Sequence, residues 1–548
     1  MRTPVAGTPI MTLGRRALIG ALAPWLMACG SEPPTLSIDE AVDSISLDGF
    51  VTHMAALSSD AMAGRRPGTA GYDSAAAYVI RTARELGLEP GGVDGTYRQP
   101  ITFRAALVEE GTAGFAVAGT DLEYGVDFSL SPRVMTSDTE IQAPLVFAGF
   151  GISAPDLGYD DLEGVDVAGK LVVVVSGAPT AFGSLERTVL SSSAARDSEL
   201  IARGAAGVIV VEVGRDAARP SARARVRFLP PVGGTAAGPE REELDVSVVV
   251  PGRVADVWLR RAGRSLDSVL SAVQAGTPQS FDLGFTGSIR ARYVHESFQS
   301  ANVAARLPGS DPAMRDEHLI VTAHLDHLGT RAPVAGDSIF NGTLDNASGS
   351  AALLTLAAAL RRMEAPRRSV LFLWVTAEES GLLGSEYFAR FPTVPRDDVV
   401  ANQNIDGVMG MIAAATDVLA FGYEHSNLSD AVDFAVARTG TPVSPDPTPD
   451  QNLFIRSDQY SFVRQGIPAI WVQAGRSSID PAIDAQAELD TWIVERYHAP
   501  TDDGDQPIDM RGVEMELENN LFVTWHITNE MGPIRWDTGS FLFQSFGR

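Results

Sequence analysis

From about residue 300 to the C-terminus, short runs rich in apolar residues alternate with segments whose apolar positions recur at helical spacing. The runs 319–323, 369–377, 398–405 and 467–473 predict buried strands, and 348–363, 428–438 and 511–530 predict helices. That alternation argues for an α/β domain with a largely parallel central sheet flanked by helices, because parallel strands need crossovers that cover both faces. Between about Thr102 and Phe285 the texture differs. The β-type runs "APLVFAGFGI", "GKLVVVVSG", "GVIVVEV" and "VSVVVPG" follow one another, with a single helix-like stretch, "SELIARGAAG", between the second and third. This predicts an inserted, compact β-rich module. Ahead of it, the loop "GRRPGTAGY" leads into a helix closed by Gly87 and Pro90. These changes divide the chain into 1–28, a polar tether at 29–45, the first part of the main domain at 46–105, an insert with its flanking strands at 106–290, and the rest of the main domain at 291–548.

The length of 548 residues agrees with two or three domains. A formal charge of −26 argues against nucleic acid and anionic lipid surfaces as partners. Lys170 is the sole lysine, which reads as compositional bias.

Residues 1–28 carry Arg2, Arg15 and Arg16, no acidic residue, and then the apolar run Ala17–Ala28. That run is short for a bilayer span and suits a signal peptide. It ends in "LMAC", which resembles the bacterial lipobox, and Cys29 is the sole cysteine. The expectation is an exported bacterial lipoprotein, anchored to the membrane through acylated Cys29 and facing the periplasm or the cell surface. Removal of 1–28 takes the formal charge from −26 to −29 and leaves no possible disulfide. Arg15-Arg16 also fits twin-arginine export, and Met11 is an alternative start.

In open α/β sheets, ligand-binding groups gather beyond the carboxyl ends of the strands. His324, Asp326 and His327 follow the first predicted strand, and Asp345 stands just ahead of the helix near Ser348. Glu378-Glu379 follow the second strand, Asp406 follows the third, and Tyr497-His498 lie in "RYHAPTDD". Each has an ordinary explanation as a cap, turn or surface loop. Their recurrence at strand ends does not. Two histidines and three carboxylates suit a pair of divalent cations with one shared carboxylate; such nitrogen and oxygen donors favour zinc, with manganese or cobalt as substitutes. One member of the Glu378-Glu379 pair is then free to act on water, provided the turn is tight enough for the side chains to diverge.

The pattern "AHLDHLG … NGTLDNASG … TAEESGLLGS … NIDG … YHAPTD" resembles the co-catalytic zinc exopeptidases, which include leucine-type aminopeptidases and glutamate carboxypeptidase II. "RSDQYSFVRQGIPAIW" is similar to the same family, and the insert resembles its protease-associated domain. The resemblance implies that His324 and Asp406 bind one zinc, that Glu379 and His498 bind the other, and that Asp345 bridges them. It also implies that Asp326 hydrogen-bonds the His324 ring, that Glu378 is the general base, and that Tyr497 donates to the oxyanion. A cis bond after Asp345 is implied as well. On this pattern His327 is a turn residue without a metal role, and His53 and His425 serve packing or surface. Leu344 and Gln459 stand where relatives often have an acid and a histidine, which bears on the substrate pocket.

An aminopeptidase acting on peptide N-termini is the leading expectation. A glutamate-releasing carboxypeptidase needs a cationic pocket, for which Arg456 and Arg464 are candidates. Yet so acidic a chain favours capture of an amine. A glutaminyl-cyclase-like acyltransferase works with one zinc, against which the five-ligand set speaks. A non-catalytic binding protein requires a decayed ligand set, and no position is missing.

Overall fold

The computed structural model describes residues 35–547, apart from 215, 219–223, 232–242, 408–409 and 411–414. The signal segment and Cys29 lie outside the described residues. The chain forms two compact units: Met1–Ile101, Gln299–Pro447 and Leu453–Arg548 make the first, and Thr102–Phe298 with Thr448–Asn452 the second.

In the first unit, the strands run in the order Val418–Phe421, Ala469–Ala474, Val399–Asn404, His318–His324, Ser369–Val375 and the carboxyl end of Ser280–Leu307. The inner four are mutually parallel, and the two edges run antiparallel to them. The α/β class with a mostly parallel sheet is therefore as the alternation predicts. Every residue of His318–His324 and Ser369–Val375 is buried, as expected where helices cover both faces. The helix Ser348–Leu360 buries nearly its whole length, and Met510–Asn529 meets the sheet through Asn520, bonded to Val472 O, and Thr524, bonded to Gln403.

Two features depart from the sequence reading. Part of the expected tether is the helix Ile38–Asp43, started by a reciprocal Ser37–Glu40 capping box and burying Ile38, Ala41 and Val42. The second unit is also less β-dominated than expected. Its strands Leu171–Val175, Gly207–Glu212 and Val246–Pro251 are parallel. The helices Ser184–Leu190, Ser193–Ala202, Gly252–Arg261 and Leu266–Gln274 accompany them. Parallel pairing demands such crossovers; the stretch "SELIARGAAG" marks the end of Ser193–Ala202, and the other three helices are too short for their periodicity to stand out. No helix among the described residues is long and apolar enough to cross a membrane.

A buried arginine ties the first unit's early segment to its later loops. Arg65, with none of its surface exposed, donates from Nε to Leu325 O at 2.8 Å, and from Nη1 to Leu57 O at 2.8 Å and Asn341 O at 2.5 Å. Its Nη2 donates to Gly342 O at 2.8 Å. The chain reaches this place through left-handed Ala63, Gly64 and Arg65. A Cβ on Gly64 would stand 2.5 Å from Phe340 O and 2.7 Å from Gly329 O, so only glycine fits there. Burial pushes the Arg65 guanidinium down to about 10, with Asp502 and Asp345 opposing the fall. Arg65→Met removes every donor from these carbonyls and is expected to cost about 3 kcal/mol or more, read from the urea midpoint. Arg65→Lys should recover little of it, because an ammonium lacks the planar fork.

Candidate metal centre

His324 is the last residue of its strand, and its ring is 1% exposed. Nδ1 donates to the backbone carbonyl of Asp326 at 3.1 Å, which turns Nε2 toward the loops opposite. That Nε2 lies 3.2 Å from Asp345 Oδ1 and 3.4 Å from Asp406 Oδ1. The other oxygen of Asp345 lies 3.3 Å from His498 Nε2, which is itself 3.0 Å from Glu379 Oε2. Asp345 thus joins two groups, one on each carboxylate oxygen. The peptide bond that follows it is cis.

Magnitudes decide what these groups suit. Two donor atoms each about 2.1 Å from one zinc at the tetrahedral angle stand roughly 3.4 Å apart. The four contacts through His324 and His498 lie at 3.0–3.4 Å and so fit a common cation in each group. Asp345 and Glu379 are both largely buried, and Oδ2 of Asp345 has no well-formed hydrogen bond among the described residues. Such carboxylates call for a divalent cation. Burial works against charge on His324, but Asp406 and Asp345 outweigh it and hold the imidazole well above its ordinary range. Burial likewise opposes the Asp345 carboxylate, and His324 and His498 overcome it, keeping Asp345 well below the usual range.

His327, expected to be a turn residue, is fully inside. Its Nδ1 is 2.7 Å from Glu379 Oε1 and 4.0 Å from Asp345 Oδ2. The shorter contact is too close for two ligands of one zinc and is instead of hydrogen-bond length. His327 therefore suits a partner of Glu379 Oε1, leaving Oε2 on the His498 side. Gly342 makes room for it, since a Cβ there would meet His327 Cγ at 2.4 Å.

Asp326 also differs from expectation. Its backbone, not its carboxylate, meets the His324 ring, while its Oδ1 accepts from Glu378 N at 3.1 Å. The carboxylate anchors the turn that carries the glutamate pair. Ala377 and Leu382 adopt left-handed φ values of 58° and 60° around that turn. Within it, Glu379 reaches His327 and His498, whereas Glu378 belongs to neither donor group. Burial pushes the Glu378 carboxyl well up. Tyr497 stacks its ring on His498 with centroids 3.8 Å apart and is 41% exposed, at the solvent side of the cluster.

Two supports escaped the sequence reading. Asp502, completely buried, accepts from Leu344 N at 2.9 Å and Asp345 N at 3.1 Å, and so fixes the loop of the joining carboxylate. It lies inside "YHAPTDD", four residues beyond His498, where a second acid was the available signal. Ser457 Oγ donates to Asp406 Oδ2 and itself accepts from Asn404 Nδ2 at 2.8 Å. Nothing in the pattern around Ser457 points to this. His53 bonds Tyr78 OH, and His425 lies against Phe454, both away from the cluster.

Residues 302–521 match the model of Peptidase family M28. Over that stretch the chain is similar to an M28 peptidase domain. This agrees with the resemblance drawn from the motifs. Leucine aminopeptidase 1 of Trichophyton equinum is 28% identical over 213 residues, 36% of this chain and 54% of that one. Leupeptin-inactivating enzyme 1 of Streptomyces exfoliatus is 28% identical over 205 residues, 37% of this chain and 42% of that one. The chain thus spans about half the length of the curated relatives it matches. The solved aminopeptidase from Aneurinibacillus sp. strain AM-1 superposes with a TM-score of 0.51 over 92% of this chain and 99% of its own, at 18% identity. That likeness concerns the fold.

Asp326→Ala should strand the Glu378 amide and cost about 1–3 kcal/mol. Asp326→Asn, which keeps an acceptor oxygen in place, should cost clearly less. Urea denaturation of the two variants checks the order.

Proposed function

We propose that this protein is a metallo-aminopeptidase that holds two zinc ions and removes N-terminal residues from peptides. The observation that carries the reading is Asp345, one carboxylate in contact with two separate histidine–carboxylate groups, beside a buried glutamate that belongs to neither. His324 and Asp406 hold one ion, Glu379 and His498 the other, and Asp345 lies between. Zinc bound there supplies Lewis acidity toward a peptide carbonyl and makes water acidic enough to attack near neutral pH. Glu378 accepts the proton of the attacking water and passes it to the leaving amine. Tyr497 donates to the developing oxyanion, and His327 holds Glu379 in place through Oε1.

An amine-binding pocket is favoured over a carboxylate-binding one. Arg464 lies 3.5 Å from Glu386, so its charge is already engaged, and Arg456 is exposed. The carboxylates around Asp345 attract an N-terminal ammonium instead. A one-zinc acyltransferase fits less well, because both donor groups are complete. We also read the second unit as a protease-associated domain, and the protein as an exported lipoprotein; "GRRALIGALAPWLMAC" supports the latter.

In Glu378→Gln, bound zinc should stay near two per chain while kcat falls by about 10²–10⁴ with little change in KM. Glu379→Gln should lose zinc. Elemental analysis alongside kinetics separates the two, and the reverse outcome would show the pair to be assigned backwards. Cys29→Ser should move the protein from the membrane fraction to the soluble one on cell fractionation, with peptidase activity retained.

A further inference from the structure

The second unit holds another place where charge and burial conflict, and there the excess among the described residues is positive. The strand Arg225–Phe228 pairs antiparallel with residues 103–106, setting Arg227 directly across from Arg104. Residues opposite one another share a face, and Arg225, two positions along, shares it too. Like charges across a ladder are ordinarily destabilising, so this pairing asks for a reason. The segment Arg133–Met135 is tied to the same place. Arg104 Nη1 donates to Val134 O at 3.4 Å, and the amides of Val134 and Met135 donate to Glu243 Oε2 at 3.0 and 3.3 Å. Arg225 Nη2 stands 3.7 Å from Glu243 Oε1. The next acid, Asp197, is engaged by Arg196 at 2.7 Å.

Arg133 is 1% exposed. Its Nη1 donates to Leu244 O at 2.8 Å, whereas Nε and Nη2 are buried without a hydrogen-bond partner among the described residues. Those two nitrogens form the side-on edge of a guanidinium, the edge that grips two oxygens of one oxoanion. Burial, followed by the charges of Arg133 and Arg227, pushes the Arg225 guanidinium down to about 10. An arriving anion relieves that repulsion. The Arg225 side chain is 25% exposed, which leaves a way in from solvent.

We propose that Arg133, Arg225 and Arg227 form an oxoanion-binding site in the second unit, taking a carboxylate or phosphate group on the Nε–Nη2 edge of Arg133. A free phosphate ion, a small dicarboxylate and the C-terminal carboxylate of a peptide share this chemistry. Calorimetric titration of the whole protein in low-chloride buffer distinguishes them. The probes are inorganic phosphate, succinate, and an N-acetylated dipeptide with a free or an amidated C-terminus. At least one should bind saturably, and Arg225→Gln should weaken it about tenfold or more. Discrimination between the free and amidated peptides would assign the site to peptide termini, and binding of phosphate alone to phosphate. The same probes can meet the metal centre, so the difference between the parent and Arg225→Gln is the readout. Arg292→Gln, which breaks only an exposed ion pair with Glu109, serves as the neutral control. Arg133→Gln should abolish the binding; if it does not fold, Arg227→Gln takes its place as the second variant. Absence of saturable binding by every probe up to ~10 mM, or binding unchanged in both Arg225→Gln and Arg227→Gln, overturns the proposal.

Discussion

Asp345 touches His324 through one oxygen and His498 through the other, and the rest of the first unit is organised around keeping that double contact possible. A carboxylate buried among further carboxylates is an electrostatic liability unless cations answer it and its own direction is fixed. The direction comes from Asp502, whose two oxygens receive the amides of Leu344 and Asp345. The counter-charge comes from imidazoles and, at longer range, from the Arg65 guanidinium. Zinc at the two donor groups completes the balance in the proposed function.

The supports of the cluster differ in kind. His324 is oriented by a backbone carbonyl, Asp406 by a serine hydroxyl, and Glu379 by an imidazole. Asp326 braces the turn bearing Glu378 and Glu379, so a single residue positions the proposed base through its carboxylate and a proposed ligand through its main chain. Loss of its side chain and loss of its local backbone geometry are thus separate injuries with separate consequences.

The strands at 318–324, 369–375 and 469–474 were legible because a parallel strand buried on both faces is mostly apolar, whereas 399–404 was marked by its apolar start alone, its Asn402, Gln403 and Asn404 being buried amides. The edge strand Val418–Phe421 was not, since four residues show no period. His324, Glu379 and Asp406 stood out as polar groups after strands, Asp345 and His498 as polar groups in loops beside helices, and the structure brings the five together. His327 was hidden by its neighbour, because His324 already accounted for the motif. Arg65 was hidden for another reason: an arginine reads as surface, and its burial rests on carbonyls contributed by segments far along the chain.

That distance has a kinetic meaning. Arg65 lies 260 residues before Leu325 and 277 before Gly342, and the long segment Thr102–Phe298 of the second unit is threaded between them. Contacts of such long sequence separation close late, after the intervening chain has compacted. Until they close, the loops carrying His327 and Asp345 lack their common clamp. On the proposed function, a nascent or partly unfolded chain is therefore a peptidase whose centre is not yet assembled, held inactive toward its neighbours until its own folding is complete.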